Sequence, residues 1–262
     1  LEMRKYLGLY ANIRPVKVYE SLLSSSPLKA SILRNTDFIV FRELTGGIYF
    51  GEKGLDEKKS SAFDTCRYTK EEIERISHLA FKEAKKRKNI LTLVDKANVL
   101  ETSRLWREVV QNMSNNYNDV KVQYLFVDNA AMKIITNPSD FDVILTENMF
   151  GDIITDEASV ITGSLGMLPS ASIGDEISLF EPIHGSYPQA AGKNIANPMA
   201  MILSSSMMLD LAFGLKKYSK IINQAVSDAL DKGIVTEDIN QEKNYSTSYV
   251  GDWISERVKK LL

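Results

Sequence analysis

Residues 69–96 read TKEEIERISHLAFKEAKKRKNILTLVDK, and their pattern decides the fold class. Thr69 with Glu72 three residues on forms a capping box, which satisfies the orphan amides of a helix start and predicts a helix to about Lys88. Ile73, Ile76, Ala80 and Ala84 recur at helical spacing and mark its inward face. Ile90 to Val94 is then an apolar run of strand length, ending at Asp95-Lys96. A helix followed at once by a short buried strand is the unit of an α/β sheet covered by helices.

The alternation extends outward from there. A helix carrying Leu105, Trp106, Val109 and Met113 is followed by a predicted strand, Val120 to Val127, ending at Asp128. Phe141 to Thr146 repeats the pattern and ends at Glu147, before a helix through about Ile161. Lys96, Asp128 and the Asp152 region therefore each follow an apolar strand, and ligands gather at the carboxyl ends of strands in open α/β sheets. Between Gly46 and Tyr68, glycines punctuate Ile48-Tyr49-Phe50, which predicts a β-hairpin or arm without a helix. Asn197-Pro198 predicts a helix with Pro at its first position, running to about Phe213 and apolar on most faces, hence buried. Another helix ends near Gly233, and Asp252 to Leu262 closes the chain. Leu1 to Leu7 reads like the middle of an amphipathic helix with neither initiator Met nor cap, so upstream residues are expected.

Composition narrows the function classes. A net charge of −2 gives no long-range field for nucleic acid or anionic lipid. The basic run Lys82 to Lys88 closes a predicted helix, where it complements the dipole. The single cysteine, Cys66, rules out an intrachain disulfide framework and fits a reducing, cytoplasmic setting. No run of about 18 apolar residues is present to span a membrane.

Several residues are suited to chemistry. Asp152 and Asp156, four apart, project from one helix face and offer the oxygen ligands that Mg²⁺ or Mn²⁺ favours; spacing alone fits a solvated acidic face as well. Arg4, Arg14 and Arg42 carry guanidinium groups that match carboxylates, though nothing in their spacing brings them together. Lys96 becomes a base only if desolvation or neighbouring cations drive off its proton, and Tyr68 is a plausible proton donor beside it. His184-Gly185-Ser186 and Ala191-Gly192-Lys193 frame a loop of small residues before the Asn197-Pro198 helix start, which lets an anion approach the backbone. No G-x-G-x-x-G fingerprint is present.

Taken together, these segments resemble the 3-isopropylmalate dehydrogenases, within the wider group of decarboxylating β-hydroxyacid dehydrogenases. The resemblance is carried by Leu9 to Pro15, Arg42 to Gly51, Val94 to Val99, Val127 to Met132, Asn148 to Asp156, Gly163 to Ala171 and Phe180 to Ser186. It implies oxidative decarboxylation of a small branched 2-hydroxy dicarboxylate by a homodimer, with NAD and Mg²⁺ or Mn²⁺. By resemblance, Arg4, Arg14 and Arg42 grip the substrate carboxylates, while Asp128, Asp152 and Asp156 hold the metal. Asp128 also contacts substrate, and Leu1 and Val99 match positions around the isopropyl group. Lys96 takes the hydroxyl proton and Tyr68 protonates the enol. Lys96 and Asp128 reach into the neighbouring subunit's site. Glu181, His184, Gly185, Ser186, Tyr187, Gln189, Ala196 and Asn197 match the cofactor side.

The implied fold is that of isocitrate and isopropylmalate dehydrogenases: two α/β domains sharing a continuous sheet, with a β-arm for dimerisation at about residues 43–68. Residues 10–162 form the metal and catalytic domain; residues 1–9 and 163–262 form the cofactor-side domain, incomplete at its start. Made as it stands, such a polypeptide is expected to fold poorly and to lack activity. Gln189 stands where NAD-using members usually carry Asp, and the Lys-Tyr pair of NADP users is absent at Gln189-Ala190. Leu44 to Gly47 favours isopropylmalate over isocitrate, homoisocitrate or tartrate. A non-catalytic regulatory subunit or an inactive fragment of the same fold are the alternatives from another class.

Overall fold

The computed structural model describes residues 2–262; Leu1, expected near the isopropyl group, lies outside the described residues. In chain order the elements are α1 (Glu2–Tyr6), β1 (Ala11–Lys17), α2 (Ala30–Leu33), β2 (Asp37–Glu43), β3 (Lys53–Leu55), β4 (Ala62–Asp64), α3 (Lys70–Lys86), β5 (Ile90–Asp95) and α4 (Glu101–Ser114). There follow β6 (Lys121–Phe126), α5 (Val127–Thr136), β7 (Val143–Thr146), α6 (Asn148–Ser159), β8 (Pro169–Ile173), β9 (Ser178–Pro182), α7 (Met199–Leu211), α8 (Lys216–Asp231) and α9 (Thr247–Leu261). The strand order is β6-β5-β7-β2-β1-β8-β9, with β3 and β4 as a separate antiparallel pair. Two compact units result: residues 1–13, 37–157 and 172–177, and residues 14–36, 158–171 and 178–262.

In the first unit, β6, β5, β7 and β2 run parallel, with Val94 and Arg42 both in register with Thr146. The capping box forms as read: Thr69 Oγ1 accepts from the Glu72 amide at 3.3 Å, and Glu72 Oε2 accepts from the Thr69 amide at 2.8 Å. Ile73, Ile76, Ala80 and Ala84 are buried against the sheet side of the core with Leu91, Leu93 and Trp106. Each large apolar side chain buried this way contributes roughly 1.5–3 kcal/mol. Arg87, just past α3, donates to Asp142 at 2.8 Å, and Asp142 accepts the Lys88 and Ile90 amides at 2.9 and 3.2 Å. That buried carboxylate pins the end of α3 to the starts of β5 and β7.

In the second unit, α7, α8 and α9 enclose a core that includes Met199, Leu203, Val226, Leu230, Val250 and Ile254. Three expectations need correction here. Helix α7 starts at Met199, not Pro198: the Asn197 Oδ1 accepts from the Met199 amide at 3.0 Å, so the proline sits one residue outside. Its composition suggested burial all round, yet Met201 and Leu211 are exposed, because only one side of the helix meets the core. Helix α9 starts at Thr247, ahead of Asp252, where Ser246 Oγ caps the Tyr249 amide at 3.3 Å.

Two smaller differences fall in the first unit. The arm contains a 3-10 turn at Gly47–Tyr49 before the β3–β4 hairpin. Helix α5 follows β6 without a loop, so Asp128 stands in a first helical turn, not at a strand end. Among the described residues no helix is long and apolar enough to cross a membrane.

Candidate active site

The first unit gathers its chemistry around Arg42, whose residue is only 2% exposed. Its Nε donates to the Asn148 carbonyl at 2.9 Å and to Asn148 Oδ1 at 3.2 Å, and Nη2 donates to Oδ1 at 2.9 Å. Nη1 bonds and ion-pairs with Asp152 Oδ1. The other Asp152 oxygen accepts from Tyr49 Oη at 2.9 Å. Burial and the field of Asp152 push the Tyr49 phenol above its ordinary range, and Asp156 adds to that push. Both aspartates thus act on one point, as residues one turn apart on α6 should. Gly151 is obligatory in this arrangement, since a Cβ there would lie 2.5 Å from Arg42 Cγ.

Tyr68 lies behind this group. Its ring packs edge-on against Trp106, with centroids 5.4 Å apart, and its hydroxyl oxygen accepts from the Asn148 amide at 2.9 Å. The ring occupies space that only glycine leaves: a Cβ on Gly47, at φ +76°, would fall 2.3 Å from the Tyr68 hydroxyl. Burial, and then the carboxyls of Glu147 and Glu43, drive the phenol far above its ordinary value, so it stays un-ionised and keeps a proton to give. Accepting one hydrogen bond leaves that O–H able to donate.

Lys96 and Asp128 form a second group, bonded to each other as an ion pair. Lys96 also lies over the Phe126 ring at 5.9 Å. The lysine holds the Asp128 carboxyl below the usual carboxylate range. Asp95 fixes the turn that presents Lys96: it accepts from Arg107 at 2.8 and 2.9 Å and from the Ala97 amide at 3.0 Å. Asp128 is exposed, and so is Val99 on the turn that carries Lys96. Arg4 is half-buried on α1 and Arg14 is buried in β1. Among the described residues no group of three or more acidic, His or Cys side chains is gathered in one chain to hold a metal ion.

The second unit contains a cleft of about 910 Å³ lined by His184, Gly185, Ser186, Tyr187, Ala196 and Asn197, six positions expected on the cofactor side. Glu181, exposed at the end of β9, and Gln189, exposed in the turn Pro188–Ala190, are not among its lining residues. Ser164, Leu165 and Gly166, from a segment that carries the resemblance, and Ile195 join the wall, and Glu237, Asp238 and Gln241, which were not singled out from sequence, complete it. Asp238 organises it, accepting from Ser164 Oγ, from Asn197 Nδ2 at 3.1 Å and from Thr236 Oγ1. Tyr49, Asn148 and Asp238 received no role from sequence because Asp152, Arg42, Ser164 and Asn197, which give them one, lie 103, 106, 74 and 41 residues away.

Known proteins can now be set beside this geometry. The family model described as isocitrate/isopropylmalate dehydrogenase matches residues 1–254. A 3-isopropylmalate dehydrogenase from Bacteroides fragilis is 53% identical over 262 residues, covering 99% of this chain and 73% of the relative. Another from Aquifex aeolicus is 51% identical over 266 residues, covering 100% and 73%. Among solved structures, an isocitrate dehydrogenase from Methylococcus capsulatus superposes with a TM-score of 0.88 at 35% identity, covering 98% of this chain and 76% of that one. A β-decarboxylating dehydrogenase from Thermococcus kodakarensis gives 0.83 at 36%, covering 99% and 72%. On the extent of these matches, the chain belongs to the isocitrate/isopropylmalate dehydrogenase family.

Proposed function

We propose that this protein oxidises 3-isopropylmalate with NAD and releases CO₂, giving 4-methyl-2-oxopentanoate for leucine biosynthesis. The observation that carries the reading is the buried Arg42 guanidinium locked onto Asn148 and Asp152, in a chain over half identical to 3-isopropylmalate dehydrogenases. Arg42, with Arg4 and Arg14, is assigned to the two substrate carboxylates, which guanidinium groups bind through paired hydrogen bonds.

The donor set of Asp152, Asp156 and Asp128 is all carboxylate oxygen, which suits Mg²⁺ or Mn²⁺. One chain does not gather the three, so the set fits when Asp128 belongs to the partner subunit. The Lys96–Asp128 pair, with its exposed carboxylate, and the largely exposed β3–β4 hairpin support such a homodimer. When bound, the metal would supply Lewis-acid stabilisation of the oxyanion, and NAD would supply the hydride acceptor for C2.

The chain's own groups do the rest. Lys96 takes the C2 hydroxyl proton as the alcohol becomes a ketone. The C3–carboxylate bond then breaks, CO₂ leaves, and the electron pair of that bond remains on the substrate as an enolate. Tyr68, held un-ionised, delivers its proton to C3 and regains one from solvent. Tyr49 fixes the orientation of Asp152, and Asn148 fixes Arg42 and Tyr68 together.

The 910 Å³ cleft of the second unit is of a size for the adenosine end of NAD. Glu237 and Asp238 on its wall place negative charge there, which disfavours the 2′-phosphate of NADP despite Gln189. Parallel assays of 3-isopropylmalate, isocitrate, homoisocitrate and tartrate with each nucleotide test the reading. With the natively expressed protein, efficient turnover of 3-isopropylmalate with NAD and Mg²⁺ or Mn²⁺ is expected; preference for isocitrate, or full activity in Lys96→Ala, contradicts it.

A further inference from the structure

We propose that Glu147 is a positioning residue, a buried carboxyl that keeps its proton beside Tyr68 and sets the alkaline limit of turnover. The role rests on the assignment of Tyr68 as proton donor. Parallel register places the residue: Arg42 and Val94 both pair with Thr146, so Glu43, Glu147 and Asp95 stand abreast one position further on. These three carboxyl residues, at the ends of β2, β7 and β5, are 0%, 4% and 2% exposed.

Among the described residues, two cations are ion-paired with the row. Arg75 on α3 reaches Glu43 at 3.3 Å, and Arg107 on α4 grips Asp95 at 2.8 Å. Glu43 further accepts the Thr45 and Gly46 amides at 2.9 and 2.7 Å. Glu147 Oε2, by contrast, is fully buried and has no hydrogen-bond partner. Three buried anions facing two guanidinium groups leave one charge without compensation, and an uncompensated buried charge gives way to the neutral form. The proton belongs on the carboxyl that lacks a cation. Burial first, then the fields of Asp95 and Glu43, push Glu147 up to about 7.

Two further titratable groups, Tyr68 and Cys66 in the segment between β4 and α3, are both pushed up by the Glu147 charge. While Glu147 is neutral, Tyr68 gives up its proton against the fields of arginine-paired carboxylates alone. Once Glu147 ionises, a third anion opposes phenolate formation and donation slows. The effect passes through Tyr68; Glu147 itself touches no reacting atom. Its neighbour in the chain, Asn148, holds the Tyr68 hydroxyl through the backbone amide, so the carboxyl cannot drift away from the phenol.

The test compares natively expressed wild-type, Glu147→Gln and Glu147→Asp proteins in kcat–pH profiles. Wild-type kcat is expected to step down by about tenfold as pH rises through about 7, from one plateau to a lower one. Glu147→Gln, which cannot ionise, should lose this step, and Glu147→Asp should keep one. A step at unchanged pH in Glu147→Gln overturns the proposal. Infrared difference spectra give a readout independent of turnover: a protonated-carboxyl band at pH 6 that disappears as pH rises through about 7–8 and is absent from Glu147→Gln. Missing that band in wild type also overturns it. Absence of wild-type turnover with a normal band instead sinks the functional reading, and the catalytic role with it.

Discussion

Arg42 shows at the level of one residue how position turns a common side chain into a binding group. Its planar fork meets two acceptors on Asn148 and one on Asp152, a geometry that a lysine ammonium cannot reproduce. Arg42→Lys keeps the charge and loses the fork, so kcat/KM for the dicarboxylate should fall about 10²-fold or more. Steady-state kinetics check this; an unchanged kcat/KM would place the carboxylate grip elsewhere. Tyr68→Phe removes the proton donor while leaving the ring against Trp106. Its kcat should fall by about 10²–10⁴ with little change in KM, the mark of a group used after substrate is bound. Glu237→Lys exchanges a negative for a positive cleft wall. The ratio of kcat/KM for NADP to that for NAD should rise by about tenfold.

Elements are held in place by a few buried charges at their ends. Arg87 joins α3 to Asp142 and Asp37, and Asp142 is itself fully buried. Arg87→Ala leaves that carboxylate unpaired, which should cost about 3–5 kcal/mol of stability in urea unfolding. Glu147 adds a pH dependence of opposite sign to the usual salt-bridged carboxylate. Its folded pKa is above the unfolded one, so the folded state binds more protons between about 4.5 and about 7. Stability should therefore fall as pH rises through that window, by an amount on the order of 3 kcal/mol that Glu147→Gln abolishes. Local elements such as α3 were legible in sequence because their determinants, Thr69 and Glu72, lie within one turn. The start of α7 was misplaced by a residue because Asn197 caps through its side chain, and proline propensity alone cannot reveal that. The Tyr49–Asp152 and Arg42–Asn148 contacts span more than 100 residues, and no spacing rule joins them. Individual site residues came from resemblance; their partners came from the fold.

The whole molecule holds its chemistry in two groups of the first unit, both following the carboxyl ends of its parallel strands. Arg42, Asp152, Tyr49 and Tyr68 form one set, and Lys96 with Asp128 forms another that is exposed. A site completed by two subunits accounts for both sets and for the lack of a three-ligand group within one chain among the described residues. Subunit mixing tests this most directly. Lys96→Ala and Asp152→Ala proteins, each inactive alone, are unfolded together, refolded and assayed with 3-isopropylmalate. In the mixed dimer one site receives an intact Asp152 from one chain and an intact Lys96 from the other. With random pairing, activity should return to about a quarter of the wild-type level. A mixture as inactive as its parts, despite mixed dimers being present, would contradict the shared site.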